Sequence, residues 1–319
     1  MDRSRAIKIE LIFVFLALTG CMADAGKQFD HCTVQTLIPV SGGILVGCYD
    51  SDSVYNWVPP DGPSLKIGLP GPLTAMAAVG ENLFVVATAD KRLSMLDIKG
   101  NLLTSLSTQS FAHLAASDGA SLIVNQSGGK PIILTNIDAG KYSTVEPRLP
   151  FEIFGTEAVA ISELHNIVLF SATTTDSPLY PSRYLFALNL NGKMLWEVKP
   201  PGGQVNSLAI SPNGQRILLA GKTGRLVSIN ATNGSILWTA RDAEGFSEVK
   251  FFEKGNRIVT SDFSGTVTLW DVANGSALTK QTLHEPGYVA LAVYDCYSFI
   301  SGGSDGRVML TETGNQCVE

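Results

Sequence analysis

The chain has 319 residues, of which 45% are hydrophobic and only 16% charged, with a formal net charge of -6. That apolar content is ample for a large core, and the scarcity of charge leaves Ser, Thr, Asn and Gly, rather than ion pairs, to cover the surface. No basic run or basic-aromatic stripe is present, which argues against nucleic acid as a partner.

Residues 1–20 read as a signal peptide. Arg3, Arg5 and Lys8 form a positive n-region, and residues 11–18 are an uncharged apolar core of h-region length, too short to span a bilayer. The junction Leu18, Thr19, Gly20, Cys21 resembles the bacterial lipobox, in which the Cys is diacylated and becomes the first mature residue. Two or more acyl chains anchor a protein stably to a membrane. Met22 rather than Asp follows the Cys, which by the same resemblance implies the outer membrane, facing the periplasm. The alternative is a plain signal peptide cleaved after Ala23 or Ala25 and a secreted product. Asn125, Asn230, Asn233 and Asn274 stand in Asn-X-Ser/Thr sequons, but three of these are turn sequences in which Asn is wanted for its own sake.

Cys32, Cys48, Cys296 and Cys317 remain, all near the two ends of the chain. An even count in an exported protein suggests disulfides, and four cysteines allow three connectivities. In a ring the ends meet, so Cys32–Cys317 and Cys48–Cys296 are the expected pairs, stapling the closure. No Cys-x-x-Cys or nearby His pair supports a metal site instead.

Residues 27–319 carry a repeat of about forty residues, the period of strand-rich propeller blades. Residues 261–275 are its clearest copy, echoed at 220–234 and 301–311. Short apolar runs separated by Gly, Asn and Asp turns predict strands. The first blade holds 33–40, 44–49 and 54–58. The second holds 73–79, 83–88, 93–98 and 102–106, the third 112–116, 122–125, 132–137 and 142–145. The fourth uses 157–161, 167–171, 184–190 and 194–198, the fifth 205–210, 216–220, 226–230 and 235–239. The sixth has 247–252, 257–260, 266–272 and 277–282; the seventh has 289–293, 298–301 and 308–311 and would borrow its outer strand from 27–33. The expectation is an all-β fold, a single seven-bladed β-propeller of four-stranded blades, forming a monomeric ring.

The segment Gly265 to Asp271, ending in Trp270-Asp271, resembles the third strand of WD-repeat blades. His284, Ser301 and Asp305 resemble three members of the buried polar network of that family, with Leu310 where its Trp would stand; the resemblance implies a structural role. Asn191-Gly192 followed by Trp196, and Asn233-Gly234 followed by Trp238, resemble the turn-and-Trp signature of quinoprotein-type repeats. That signature recurs in pyrroloquinoline-quinone dehydrogenases and in a bacterial outer-membrane assembly lipoprotein. It implies that both Trp residues dock between blades.

The four His residues (His31, His113, His165, His284) show no metal-ligand spacing, and neither a nucleophile elbow nor a phosphate loop is present. No catalytic residue and no cofactor are therefore assigned. The fourth blade carries a long insertion at 172–183, flanked by inter-blade loops at 146–154 and 199–203. Together these present Arg148, Phe151, Phe154, Tyr180 and Arg183, residue types favoured at interface hot spots. The functional expectation is a non-catalytic, protein-binding scaffold of the cell envelope. The alternative is a propeller enzyme, a lactonase-like hydrolase or quinone-dependent dehydrogenase, with a metal in the central channel.

Overall fold

The computed structural model describes residues 24–313 except 61, 108–110, 117–120, 127–130, 139–140, 151, 175–181 and 243. The chain begins with β1 (Asp24–Gln28), whose partner lies at the far end of the sequence. Then come β2 (Val34–Val40), β3 (Gly43–Cys48), β4 (Ser53–Trp57) and β5 (Ser64–Gly68), followed by β6 (Leu73–Val79), β7 (Leu83–Thr88), β8 (Arg92–Asp97) and β9 (Leu102–Ser107). The third group is β10 (Phe111–Ala116), β11 (Leu122–Gln126), β12 (Ile132–Asp138) and β13 (Lys141–Val145). The fourth is β14 (Ile153–Ser162), β15 (Ile167–Thr174), β16 (Ser182–Leu188) and β17 (Met194–Val198). The fifth is β18 (Val205–Ile210), β19 (Arg216–Gly221), β20 (Arg225–Asn230) and β21 (Ile236–Arg241), and the sixth β22 (Phe246–Phe252), β23 (Arg257–Asp262), β24 (Thr266–Asp271) and β25 (Ala277–Thr282). The chain closes with β26 (Val289–Val293), β27 (Ser298–Gly303) and β28 (Arg307–Glu312).

Each of those six groups forms an antiparallel four-stranded sheet in chain order, whereas the last three strands form a sheet of order β1-β28-β27-β26. The expected count of seven blades is corrected accordingly: six blades are contiguous in sequence, and the ring is completed by a composite sheet drawn from both ends. The donated strand is Asp24–Gln28 rather than 27–33. The first contiguous blade also has a fourth strand, β5, that the sequence reading did not give. The first strands neighbour one another in the order β2, β6, β10, β14, β18, β22, β26 and back to β2, enclosing a central channel. Closure of this kind removes free sheet ends.

Burial follows position in the sheet. Second strands lie between two neighbours, so β3 and β27 are buried at every residue and read as unbroken runs of small and apolar side chains. Outer strands alternate, as in β9 and β21, because only one face meets the adjoining sheet. The chain enters each contiguous sheet at the inner strand and leaves from the outer one. Loops joining second to third strands therefore share one face, the upper, with the connections between sheets. The hairpins joining first to second and third to fourth strands lie on the lower face.

The disulfide expectation is also corrected. Cys32 is bonded to Cys48, with Cα atoms 5.1 Å apart and a sequence separation of 16. The hairpin explains the choice: Val34 of β2 pairs with Cys48 of β3, and the Tyr49 amide donates to the Thr33 carbonyl at 2.8 Å. Cys32 thus lies beside Cys48 within one blade, and the bond pins the segment that leaves the closing sheet for the next. Cys296 is disulfide-bonded as well. Its partner, and both Cys21 and Cys317, lie outside the described residues.

Candidate functional site

The turn chemistry behind the repeat explains its signature residues. Asp97, Asn189, Asn230 and Asp271 close third strands, and each turns its side-chain oxygen onto amides of the following turn: Lys99 and Asn101, Asn191 and Lys193, Thr232, and Ala273 respectively. Asp271 of the Trp-Asp pair is therefore a turn acceptor. Trp196 donates its indole N–H to the Ala231 carbonyl of the next sheet at 2.8 Å, and Trp238 donates to Val272 at 2.9 Å. Gly234 and Gly275 adopt φ of +73° and +71°, and a Cβ on either would meet the Trp of the preceding sheet. The Asn-Gly turn and the Trp are one inter-blade joint.

His284, Ser301 and Asp305 do come together. His284 Nε2 lies 2.8 Å from Ser301 Oγ, and Nδ1 lies 3.3 Å from Asp305 Oδ1. Burial pushes His284 below the ordinary imidazole value of 6.5, against the pull of Asp305. The neutral ring then donates from Nδ1 to Asp305 and accepts the Ser301 hydroxyl proton at Nε2. Ser301 is fully buried, so this is a packed network and not an accessible nucleophile. In the neighbouring sheet Trp270 donates to Thr260 Oγ1 at 2.8 Å.

The central channel is a cavity of about 1040 Å³. Its walls differ: β2 and β6 contribute Leu37, Ile38, Met76 and Ala77, while β14, β18 and β22 bring Glu157, Asn206, Glu248 and Lys250, and Tyr288 stands just before β26. Both carboxylates are engaged across sheet boundaries. Glu248 accepts from the Tyr288 hydroxyl at 2.8 Å and the Leu291 amide at 2.9 Å, with Lys250 Nζ 3.5 Å away. Burial first, and the adjacent Glu248 second, push the Tyr288 phenol well above its ordinary range. Glu157 accepts from Arg183 Nε at 2.8 Å and from the Val205 amide at 3.1 Å. Among the described residues no three His, Cys, Asp or Glu side chains converge as metal ligands would.

Polar residues at β-bulges make further links of the same kind. Asn206 donates to the Phe246 carbonyl, Gln35 to that of Thr74, and Ser247 to that of Val289. Each sits where the inner strand shifts register against its partner. Sequence reading missed Glu157, Glu248 and Tyr288; the signal available was a polar residue near the start of the inner strand in successive repeats.

On the upper face the fourth sheet is the exception. β14 runs for 10 residues and β15 for 8, so pairing continues to Ile153–Thr174 and Thr174–Ser182. The result is a three-stranded flap beyond the level of its neighbours. A register shift between Ile153 and Gly155 puts Phe154 at a bulge, 73% exposed. Arg148 is exposed on the adjoining connection, and Arg183 stands on β16 paired with Glu157. Lys199 reaches over the Tyr184 ring at 5.0 Å. Of the expected partner-binding residues, Arg148, Phe154 and Arg183 thus share this face, while Phe151 and Tyr180 lie outside the described residues.

A family model described as outer membrane protein assembly factor BamB matches residues 181–278, under a third of the chain. No curated protein matches significantly. Among solved structures, the β-propeller domain of Myceliophteria thermophila Cps50 (Swd1) is similar with a TM-score of 0.71 and 12% identity, covering 90% of this chain and 98% of that one. The computationally designed Ika8 protein is similar with a TM-score of 0.65 and 18% identity, covering 90% and 97%. At such identities the likeness shows the fold alone. Fold and family match together support a β-propeller whose residues 181–278 are of the quinoprotein type.

Proposed function

We propose that this chain is an exported, lipid-anchored, non-catalytic scaffold that docks a protein partner in the cell envelope through the upper face of its fourth sheet. The observation that carries the reading is Phe154. A Phe ring 73% exposed at a bulge, on a flap that breaks the repeat, is not packed into any core among the described residues. Arg148 and Arg183 on the same face are of the type that anchors interfaces. The match of residues 181–278 to the BamB family model agrees with an assembly role at the outer membrane. Acylation of Cys21 would hold the protein there.

Photo-crosslinkers placed at Arg148 and Phe154 in the full chain test the proposal, with Leu164 on the lower face as the control site. Leu164 is equally exposed, at 74%. One envelope protein captured repeatedly from the upper face and not from Leu164 supports it. Equal capture from both faces would retire it.

A further inference from the structure

We propose that the lower end of the closing sheet, at Tyr294 and Tyr297, is a lipid-contacting surface that rests in the headgroup layer of a zwitterionic membrane. The inference relies on the acylation of Cys21 proposed above and adds which part of the ring meets the bilayer. Asp24, the first residue of β1, pairs with Thr311, and Ser298 pairs with Glu312. The start of β1 and the turn joining β26 to β27 therefore lie at the same lower end of one sheet. β1 is two strands from β27, a lateral distance of roughly 10 Å. Three peptide steps separate Asp24 from Cys21, a reach of at most about 11 Å. Acyl chains on so short a tether draw this end of the sheet to the membrane.

The turn held there is suited to a headgroup layer. Tyr294 and Tyr297 are 37% and 44% exposed, side chains with an apolar ring and a polar tip. The turn itself is fixed: Asp295 Oδ1 accepts from the amides of Tyr297 and Ser298, and Thr313 donates to the Tyr297 carbonyl. Cys296 adds a covalent tie. Asp295 and Glu312 at the same end disfavour an anionic surface, which is why the partner is a zwitterionic lipid. The upper face, with Phe154, then points away from the bilayer.

The test uses the full chain, acylated in cells and reconstituted in phosphatidylcholine vesicles with or without brominated acyl chains. Tyr297→Trp and Tyr294→Trp are compared with Tyr49→Trp on the upper face, each read as the fluorescence added over the parent protein. The added emission at the two turn positions should fall roughly twofold in brominated vesicles, as for a ring at the headgroup–acyl boundary, and stay unchanged at position 49. Circular dichroism confirms that each variant is folded. If intact mass shows acylated Cys21 but neither turn position is quenched, this inference is overturned and the anchor stands. If the mass shows no acyl chain, the anchor reading fails and takes the tether argument with it.

Discussion

The indole of Trp238 lies against Gly275 of the next sheet, where a Cβ would come within 2.6 Å of a ring carbon. Gly275→Ala therefore meets two penalties, a left-handed backbone at φ +71° and an overlap with Trp238. Together they should destabilise the fold by about 2–4 kcal/mol in denaturant unfolding. In a Trp238→Ala background the overlap is gone and only about 1 kcal/mol of the glycine effect should remain. Additive losses would show that the two residues do not form one joint.

Peptide mapping under non-reducing conditions should recover Cys32 linked to Cys48. The chain-entropy model gives a loop of this length roughly 3 kcal/mol of stabilisation, so a Cys32→Ser, Cys48→Ser variant should lose about that much. Recovery of Cys32 joined to Cys317 would contradict the hairpin placement.

Acid should loosen the closing sheet. His284 sits below its ordinary 6.5 because it is buried, so the folded state binds fewer protons than the unfolded chain just below that pH. The stabilisation is fully present above 6.5 and is lost as pH falls toward the folded value. Burial would raise Asp305, but the amides of Arg307 and Glu285 and the neighbouring His284 outweigh it, and the carboxyl ends below 3.8. Its share is present above 3.8 and is lost further down as pH falls. Between about pH 7 and about pH 5 unfolding free energy should drop, by no more than about 1.4 kcal/mol per pH unit for this one proton. His284→Gln should flatten that slope; an unchanged slope would assign it to other groups.

Glu248 bridges two sheets, and the cost of removing it differs from that of removing its partner. Glu248→Ala leaves the Leu291 amide and the buried Tyr288 hydroxyl without an acceptor and should cost about 2–4 kcal/mol. Tyr288→Phe leaves the Leu291 bond in place and should cost about 1 kcal/mol. Thermal unfolding of the two variants orders them, and equal losses would dismiss the bridge.

Much of this architecture was legible in the chain because a repeat states its structure several times. The resemblance of the Asn-Gly turns and of Trp196 and Trp238 to quinoprotein-type repeats implied docking between blades, and the structure supplies the carbonyls that they use. His284, Ser301 and Asp305 were grouped by their resemblance to the polar network of WD-repeat blades, and the structure brings them together. What stayed hidden depends on register. β5 has four of its five residues exposed, so it carries no apolar run to betray it. Cys32 meets Cys48 because a hairpin aligns them, a local effect that reasoning from ring closure passed over. Glu157 and Glu248 point across sheet boundaries through bulged strands, and a bulge breaks the period-two pattern on which strand reading rests. The candidate residues Arg148, Phe154 and Arg183 were reached through loop length, and the bulge that exposes Phe154 was not foreseen.

The pairing of β1 with β28 has a consequence for the order of events in the life of the chain. β1 precedes its partner by nearly the whole described sequence, so as the chain is synthesised the earlier strand waits without the neighbour it needs. Every contiguous sheet can form as it emerges, whereas the ring locks only when the final strand arrives. Contacts that span nearly the whole sequence form slowly. A product truncated before Arg307 would keep the six contiguous sheets but lose β28, leaving β1 and β27 each with an unpaired edge that sets it apart from the closed ring.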